Sequence, residues 1–151
     1  MLAKVTLMIP EIDKSLFRDP SSSSHLPFSG GYLTIRPVPI AFISYPYERC
    51  FTQFKKAVLA TLDILKHALG HNMILKDANT YNIQFNNRQP LLIDILSFEK
   101  YKEGETLAGY KKFCENFLGH LALMSYKDIM LGRMLREYIE GIPLSYLSHG
   151  K

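Results

Sequence analysis

Between Phe51 and Leu69 apolar residues return at steps of three and four: Phe51, Phe54, Val58, Leu62, Leu65 and Leu69, with Lys55, Lys56 and Lys66 off the stripe. That spacing predicts an amphipathic helix from about Glu48 to Leu69, closed by Gly70 in a left-handed cap. The period then changes. Ile83-Gln84-Phe85 alternates as a half-buried strand does, Asn86 to Pro90 supplies turn residues, and Leu91-Leu92-Ile93 is an apolar run suited to a buried strand. Together they predict a hairpin. A second helix is expected from about Leu107 to Tyr126, with Tyr110, Phe113, Phe117, Leu121 and Met124 on one face. A third, shorter helix carries Ile129, Met130, Met134, Leu135 and Tyr138, and Gly141 with Pro143 closes it.

Upstream the pattern is weaker. Val5 to Ile9, Tyr32 to Arg36 and Ile40 to Ser44 are candidate strands, Gly30-Gly31 a turn, and Asp19-Pro20 with Ser21 to Ser24 and His25 a polar loop. Tyr45-Pro46-Tyr47-Glu48 reads as an extended connector, because a proline holds the residue before it away from helical angles. The expected class is α+β in one compact domain. A mostly helical body over residues 48–151 carries the small β-hairpin, and a short β and loop segment over residues 1–47 precedes it.

Composition narrows the partners. A chain of 151 residues, 47% hydrophobic and 21% charged, suits a single globular domain with a real core. The formal charge of +4 favours anions mildly. Lys55, Lys56, Lys111 and Lys112 sit on helix faces that need solvation and form no concentrated basic stripe, so nucleic acid is not an expected partner. Cys50 and Cys114 lack metal-site spacing and read as two buried thiols of a reducing compartment. No apolar signal segment is visible, and Asp63 and Lys66 interrupt the most apolar helix, so a cytoplasmic protein without a membrane partner is expected. His67 and His71, four apart, lack the glutamate of a zinc-protease helix and are not read as a metal site.

The chemistry lies in Asp77, Asn82 and Asp94. Asp77 and Asn82 bracket the loop entering the hairpin, and Asp94 follows its second strand. A hairpin returns both ends to one place, so two carboxylates and a carboxamide should face one small volume. Two carboxylates about 4 Å apart repel by roughly 1 to 4 kcal/mol, and a divalent cation between them reverses the sign. The other reading is a hydrogen-bonded turn at Asp77 and Asn82, with Asp94 capping a helix.

Asp-x-x-x-x-Asn, followed after a hairpin by Asp at a strand end, is an arrangement found in phosphoryl-transfer enzymes of the protein-kinase fold. The region resembles the C-lobe of kinase-like folds, in particular the aminoglycoside-phosphotransferase-like branch. More closely, Ile43-Ser44-Tyr45-Pro46-Tyr47-Glu48, Leu75-Lys76-Asp77-Ala78, Tyr81-Asn82-Ile83-Gln84-Phe85, Leu92-Ile93-Asp94 and Ser97-Phe98-Glu99 look like a particular kinase-like region. That region lies ahead of the methyltransferase domain in bacterial nodulation-protein-related, class I SAM-dependent methyltransferase proteins. The resemblance spans roughly residues 40–143.

It implies Asp77 as general base, Lys76 beside the transferring phosphate, Asn82 and Asp94 as magnesium ligands, and Ser44, Tyr45 and Tyr47 as a hinge meeting the adenine of ATP. If active, such a domain would be a Mg-dependent ATP:hydroxyl phosphotransferase. Departures are specific: Leu75-Lys76 replaces the usual His-Arg or His-Gly, Asn79 stands where many kinases place a lysine, and Ile95-Leu96 replaces Phe-Gly. No glycine-rich phosphate loop and no Val-Ala-Ile-Lys strand is identifiable, and residues 1–47 are too few for a full N-lobe. The sequence therefore suggests a degenerate, pseudokinase-type Mg/nucleotide-binding module. The alternative is a non-catalytic accessory or scaffold domain, serving a methyltransferase-like partner or self-associating as a homo-oligomer.

Overall fold

Helix α1 runs from Phe51 to Gly70 and buries Phe54, Ala57, Val58, Ala60, Thr61, Ile64 and Ala68. The predicted stripe is therefore displaced: Leu62 is 43% exposed, and alanines with Thr61 fill the inner face. Small side chains let α1 lie close to the strands it covers, and the Thr61 hydroxyl is satisfied by the Ala57 carbonyl at 2.9 Å. Gly70 remains helical; the left-handed residue is Asn72, with φ 56°, so the chain turns two positions later than expected. The computed structural model describes residues 6–7, 11–12, 35–36, 39–104 and 108–148.

Strands β1 (Thr6–Leu7), β2 (Glu11–Ile12) and β3 (Ile35–Arg36) precede α1, and β2 pairs antiparallel with β3. The serine-rich loop and the Gly30-Gly31 turn of the sequence reading lie outside the described residues. Residues 40–44 do not form the strand expected of them. Tyr45 is extended, as Pro46 demands, but Pro46–Glu48 then winds into a single 3-10 turn rather than an extended connector.

After α1, β4 (Met73–Leu75) pairs antiparallel with β7 (Phe98–Lys100) in the register Met73↔Lys100, Ile74↔Glu99 and Leu75↔Phe98. Between them β5 (Ile83–Asn86) and β6 (Gln89–Leu92) form the predicted hairpin. Its turn is Asn87-Arg88, with φ 49° and 67°, the paired left-handed conformation of a type I′ turn that follows strand twist. β1 adds to β6 in parallel, Thr6 beside Leu91 and Leu7 beside Leu92.

The second predicted helix is continuous in direction but not in winding. α2 (Ala108–Phe113) passes through a π turn at Cys114–Leu118 into α3 (Gly119–Tyr126). The third expected helix is a 3-10 run, Ile129–Arg136, started by Asp128 accepting from the Met130 N–H at 2.8 Å. A short α4 (Ser145–Ser148) follows. Phe54, Val58, Ile83, Leu92, Phe113, Phe117, Met124 and Leu135 share one core. Each such side chain stabilises the fold by about 1.5 to 3 kcal/mol relative to exposure. The class is α+β. Cys114 is buried, but Cys50 is exposed, contrary to the sequence reading, and both are free thiols. Among the described residues no helix is long and apolar enough to cross a membrane.

Candidate functional site

Two ladders set the site. In the β5–β6 hairpin Ile83 faces Leu92, and the Ile93 N–H continues the pairing to the Asn82 carbonyl at 2.9 Å. The segments holding Asn82 and Asp94 are thus fixed at one end of the hairpin. In the second ladder Leu75 faces Phe98, and the Lys76 N–H bonds the Ser97 carbonyl at 2.8 Å. That contact carries Asp77 toward the same place. The loops leaving both ladders meet there.

Asn82 stands at the junction. Its amide Nδ2 lies 3.4 Å from Asp77 Oδ2, 3.5 Å from Asp94 Oδ2 and 3.4 Å from Ser97 Oγ, with the Asp77 carbonyl oxygen also at 3.5 Å. These separations are at the long limit for hydrogen bonds, so the amide sits among four oxygens without a short bond to any. All three residues are partly exposed. The structure therefore brings together the two acids and the amide that the sequence singled out.

Asp94 also does local work. Its Oδ1 accepts from the Leu96 N–H at 2.9 Å, capping the single 3-10 turn Ile95–Ser97, and its Oδ2 accepts from the Ser97 hydroxyl at 2.5 Å. The capping reading and the cluster reading hold together, with one carboxylate oxygen engaged in each. Ser97, 1% exposed, belongs to the cluster and was not singled out from sequence. Its place three residues after Asp94 was the available signal, since that spacing lets a hydroxyl return to a turn-initiating carboxylate. Asn79 plays a comparable part in the preceding loop, its Oδ1 accepting from the Tyr81 N–H at 3.0 Å.

The donor chemistry fits a small divalent cation. Two carboxylates offer hard oxygens, while Asn82 turns its Nδ2, a donor, toward both, and magnesium is commonly held by one or two carboxylates, with water and phosphate oxygens completing its shell. No group of three or more His, Cys, Asp or Glu side chains suited to a metal occurs among the described residues. A metal here would depend on ligand oxygens as well as protein. Lys76 is exposed, and its side chain has no hydrogen bond or ion pair among the described residues. Lys112, by contrast, pairs with Glu140; that hydrogen bond chiefly raises its pKa, with Asp77 adding a smaller attraction.

The expected hinge is joined to the hairpin rather than to the carboxylates. The Ser44 N–H donates to Gln84 Oε1 at 3.0 Å, and the Tyr45 N–H to Glu48 Oε2 at 2.8 Å. The rings of Tyr45 and Tyr47 stack on each other, 5.4 Å between centroids and 2° from parallel. Two of the backbone donors that adenine would need are thus already engaged.

Sequence reasoning overlooked Arg49. It is 5% exposed. Nη1 donates to the Thr80 carbonyl at 3.0 Å, and Nη2 to the carbonyls of Ser44 (3.2 Å) and Ile83. The guanidinium also lies 5.4 Å over the Phe85 ring. Burial pulls its pKa down to about 10, which leaves it charged at neutral pH. His67 and His71 are exposed, each with Nδ1 beside the backbone carbonyl four residues earlier, at 2.7 and 2.8 Å.

No family model and no solved structure matches the chain. It is similar to nodulation protein NoeA of Rhizobium meliloti (strain 1021), 38% identical over 128 residues. That similarity takes in 84% of this chain but only 27% of the relative, so the chain corresponds to little more than a quarter of that nodulation protein.

Proposed function

We propose that the chain is a kinase-like domain reduced to binding magnesium and a nucleotide, of pseudokinase type. One observation carries the reading: the Asn82 amide lies within 3.5 Å of carboxylate oxygens of both Asp77 and Asp94. In that scheme Asp94 holds the metal, joined by Asn82 through Oδ1 once the side-chain amide turns over from the Nδ2-inward arrangement. Asp77 lies where a hydroxyl acceptor would lose its proton, and Lys76 supplies positive charge at the rim. The metal, when bound, neutralises phosphate charge and removes the repulsion between the acids. The engaged amides of Ser44 and Tyr45 favour binding through phosphates over tight adenine recognition.

Thermal denaturation with magnesium and ATP together tests this. Binding to the folded state raises Tm by mass action, and about 100 Kd of ligand contributes about 2.7 kcal/mol. The rise is expected with wild type and not with Asp94→Ala. A flat response of wild type at millimolar nucleotide would sink the proposal.

A second reading rests on the comparison. Similarity to a limited part of a nodulation protein suits an accessory segment of a longer protein, which the sequence resemblance would associate with a methyltransferase. There the carboxylate cluster would serve as a structural knot between two ladders. Under that reading nucleotide has no effect, and Asp94→Ala lowers stability by about 1 kcal/mol through loss of the turn cap.

A further inference from the structure

A cleft of about 650 Å³ opens between the start of α1 and the 3-10 run Ile129–Arg136, a size that suits a small-molecule ligand. It is bordered by Tyr47, Arg49 and Phe51 on one side and by Met130, Arg133 and Arg136 on the other. The winding of the second wall matters. With three residues per turn, side chains at i, i+3 and i+6 eclipse, so Met130, Arg133 and Arg136 stand in one row. An α-helix would fan them apart. The row brings two exposed arginines to the same border of the cleft.

Among the described residues no carboxylate is paired with either arginine. Arg133 and Arg136 make no hydrogen bond or ion pair among the described residues. Glu137 borders the cleft and forms no ion pair among the described residues, and Glu48, which also borders it, accepts the Tyr45 N–H through Oε2. Arg49, 5% exposed, also borders the cleft, but its Nε is buried and its Nη1 and Nη2 are engaged by backbone carbonyls, so it adds positive charge to the wall without an open donor. The first turn of the 20-residue α1 opens there too, carrying no acidic residue. Phe51, Met124 and Ile129 add apolar wall.

We infer that this cleft binds a small organic anion with an apolar body and one phosphate or carboxylate group. The acid lies between Arg133 and Arg136, and the body rests on Phe51 and Met130. The site is independent of the Asp77–Asn82–Asp94 cluster and requires neither metal nor nucleotide.

Titration of the full chain with phenyl phosphate in magnesium-free buffer tests the site, followed by calorimetry and by the shift in Tm. Inorganic phosphate, benzoate and phenol serve as comparators. Phenyl phosphate is expected to bind best, more tightly than benzoate, which exchanges the acid on the same ring, and than inorganic phosphate, which lacks the ring. Phenol should fail. Arg133→Gln and Arg136→Gln, both at exposed positions, should keep the unliganded Tm and weaken binding about tenfold each. Asp94→Asn should bind as wild type does. Absence of binding at millimolar phenyl phosphate would overturn the inference. So would binding that survives both arginine substitutions, or binding that is lost in Asp94→Asn.

Discussion

His120 is 0% exposed, and neither ring nitrogen has a hydrogen-bond partner among the described residues. It packs edge-on to Phe54, 6.4 Å between ring centroids. Desolvation lowers its pKa from 6.5 to about 4. In the unfolded chain the imidazole takes up a proton as pH falls through 6.5, whereas in the fold it stays neutral until about pH 4. The unfolded state therefore binds more protons across that window, and stability falls as pH is lowered through it. The full effect is about 3 kcal/mol, reached near pH 4. Urea unfolding at pH 7 and pH 5 should show a lower midpoint at pH 5, and His120→Leu should remove most of that difference. An unchanged pH difference in the variant would assign acid sensitivity to the carboxylates instead.

Among the elements, α2 approaches β4 more closely than any side chain allows. A Cβ added to Gly109 would lie 2.3 Å from the Leu75 carbonyl oxygen, one residue before Lys76. Gly109→Ala must push the helix off the strand that leads into Asp77. A loss of about 1 to 3 kcal/mol is expected from the denaturation midpoint. Gly70→Ala is the contrasting change: nothing lies within 4 Å, the position is helical, and a gain of about 0.5 kcal/mol is expected.

The elements also show what a sequence discloses. The hairpin was legible because Asn86 to Pro90 carries strong turn chemistry between two clear apolar runs, and that alone placed Asn82 near Asp94. α1 was legible in extent. Its buried face was not, because Ala57, Ala60 and Ala68 contribute little hydrophobic contrast beside Leu62. The β4–β7 ladder escaped notice, since two three-residue strands have no period to count. The π turn and the 3-10 run carry helical spacing in the sequence, and only tertiary packing decides their winding. Arg49 was missed because a charged residue is expected at the surface, and burial shows only when its three carbonyl acceptors are in place.

At the scale of the molecule, that arginine fastens residue 44 and the loop around Thr80 to the hairpin through a single side chain. Arg49→Met should strip the guanidinium from those carbonyls, leaving Thr80 only the Ile83 N–H as donor, and cost about 2 to 4 kcal/mol in urea unfolding. Arg49→Lys should recover only part, because one ammonium group cannot span the same fork. The parallel seam between β1 and β6 has another implication. Thr6 finds Leu91 only after the intervening chain has been made and the hairpin has closed. Local pairs such as β5 with β6 can form first, and the long-range partner then arrives against the entropy of a large loop. During synthesis, therefore, an early stretch of this polypeptide must wait for a late one, and the strand edge leading to Asp94 stays open until that meeting occurs.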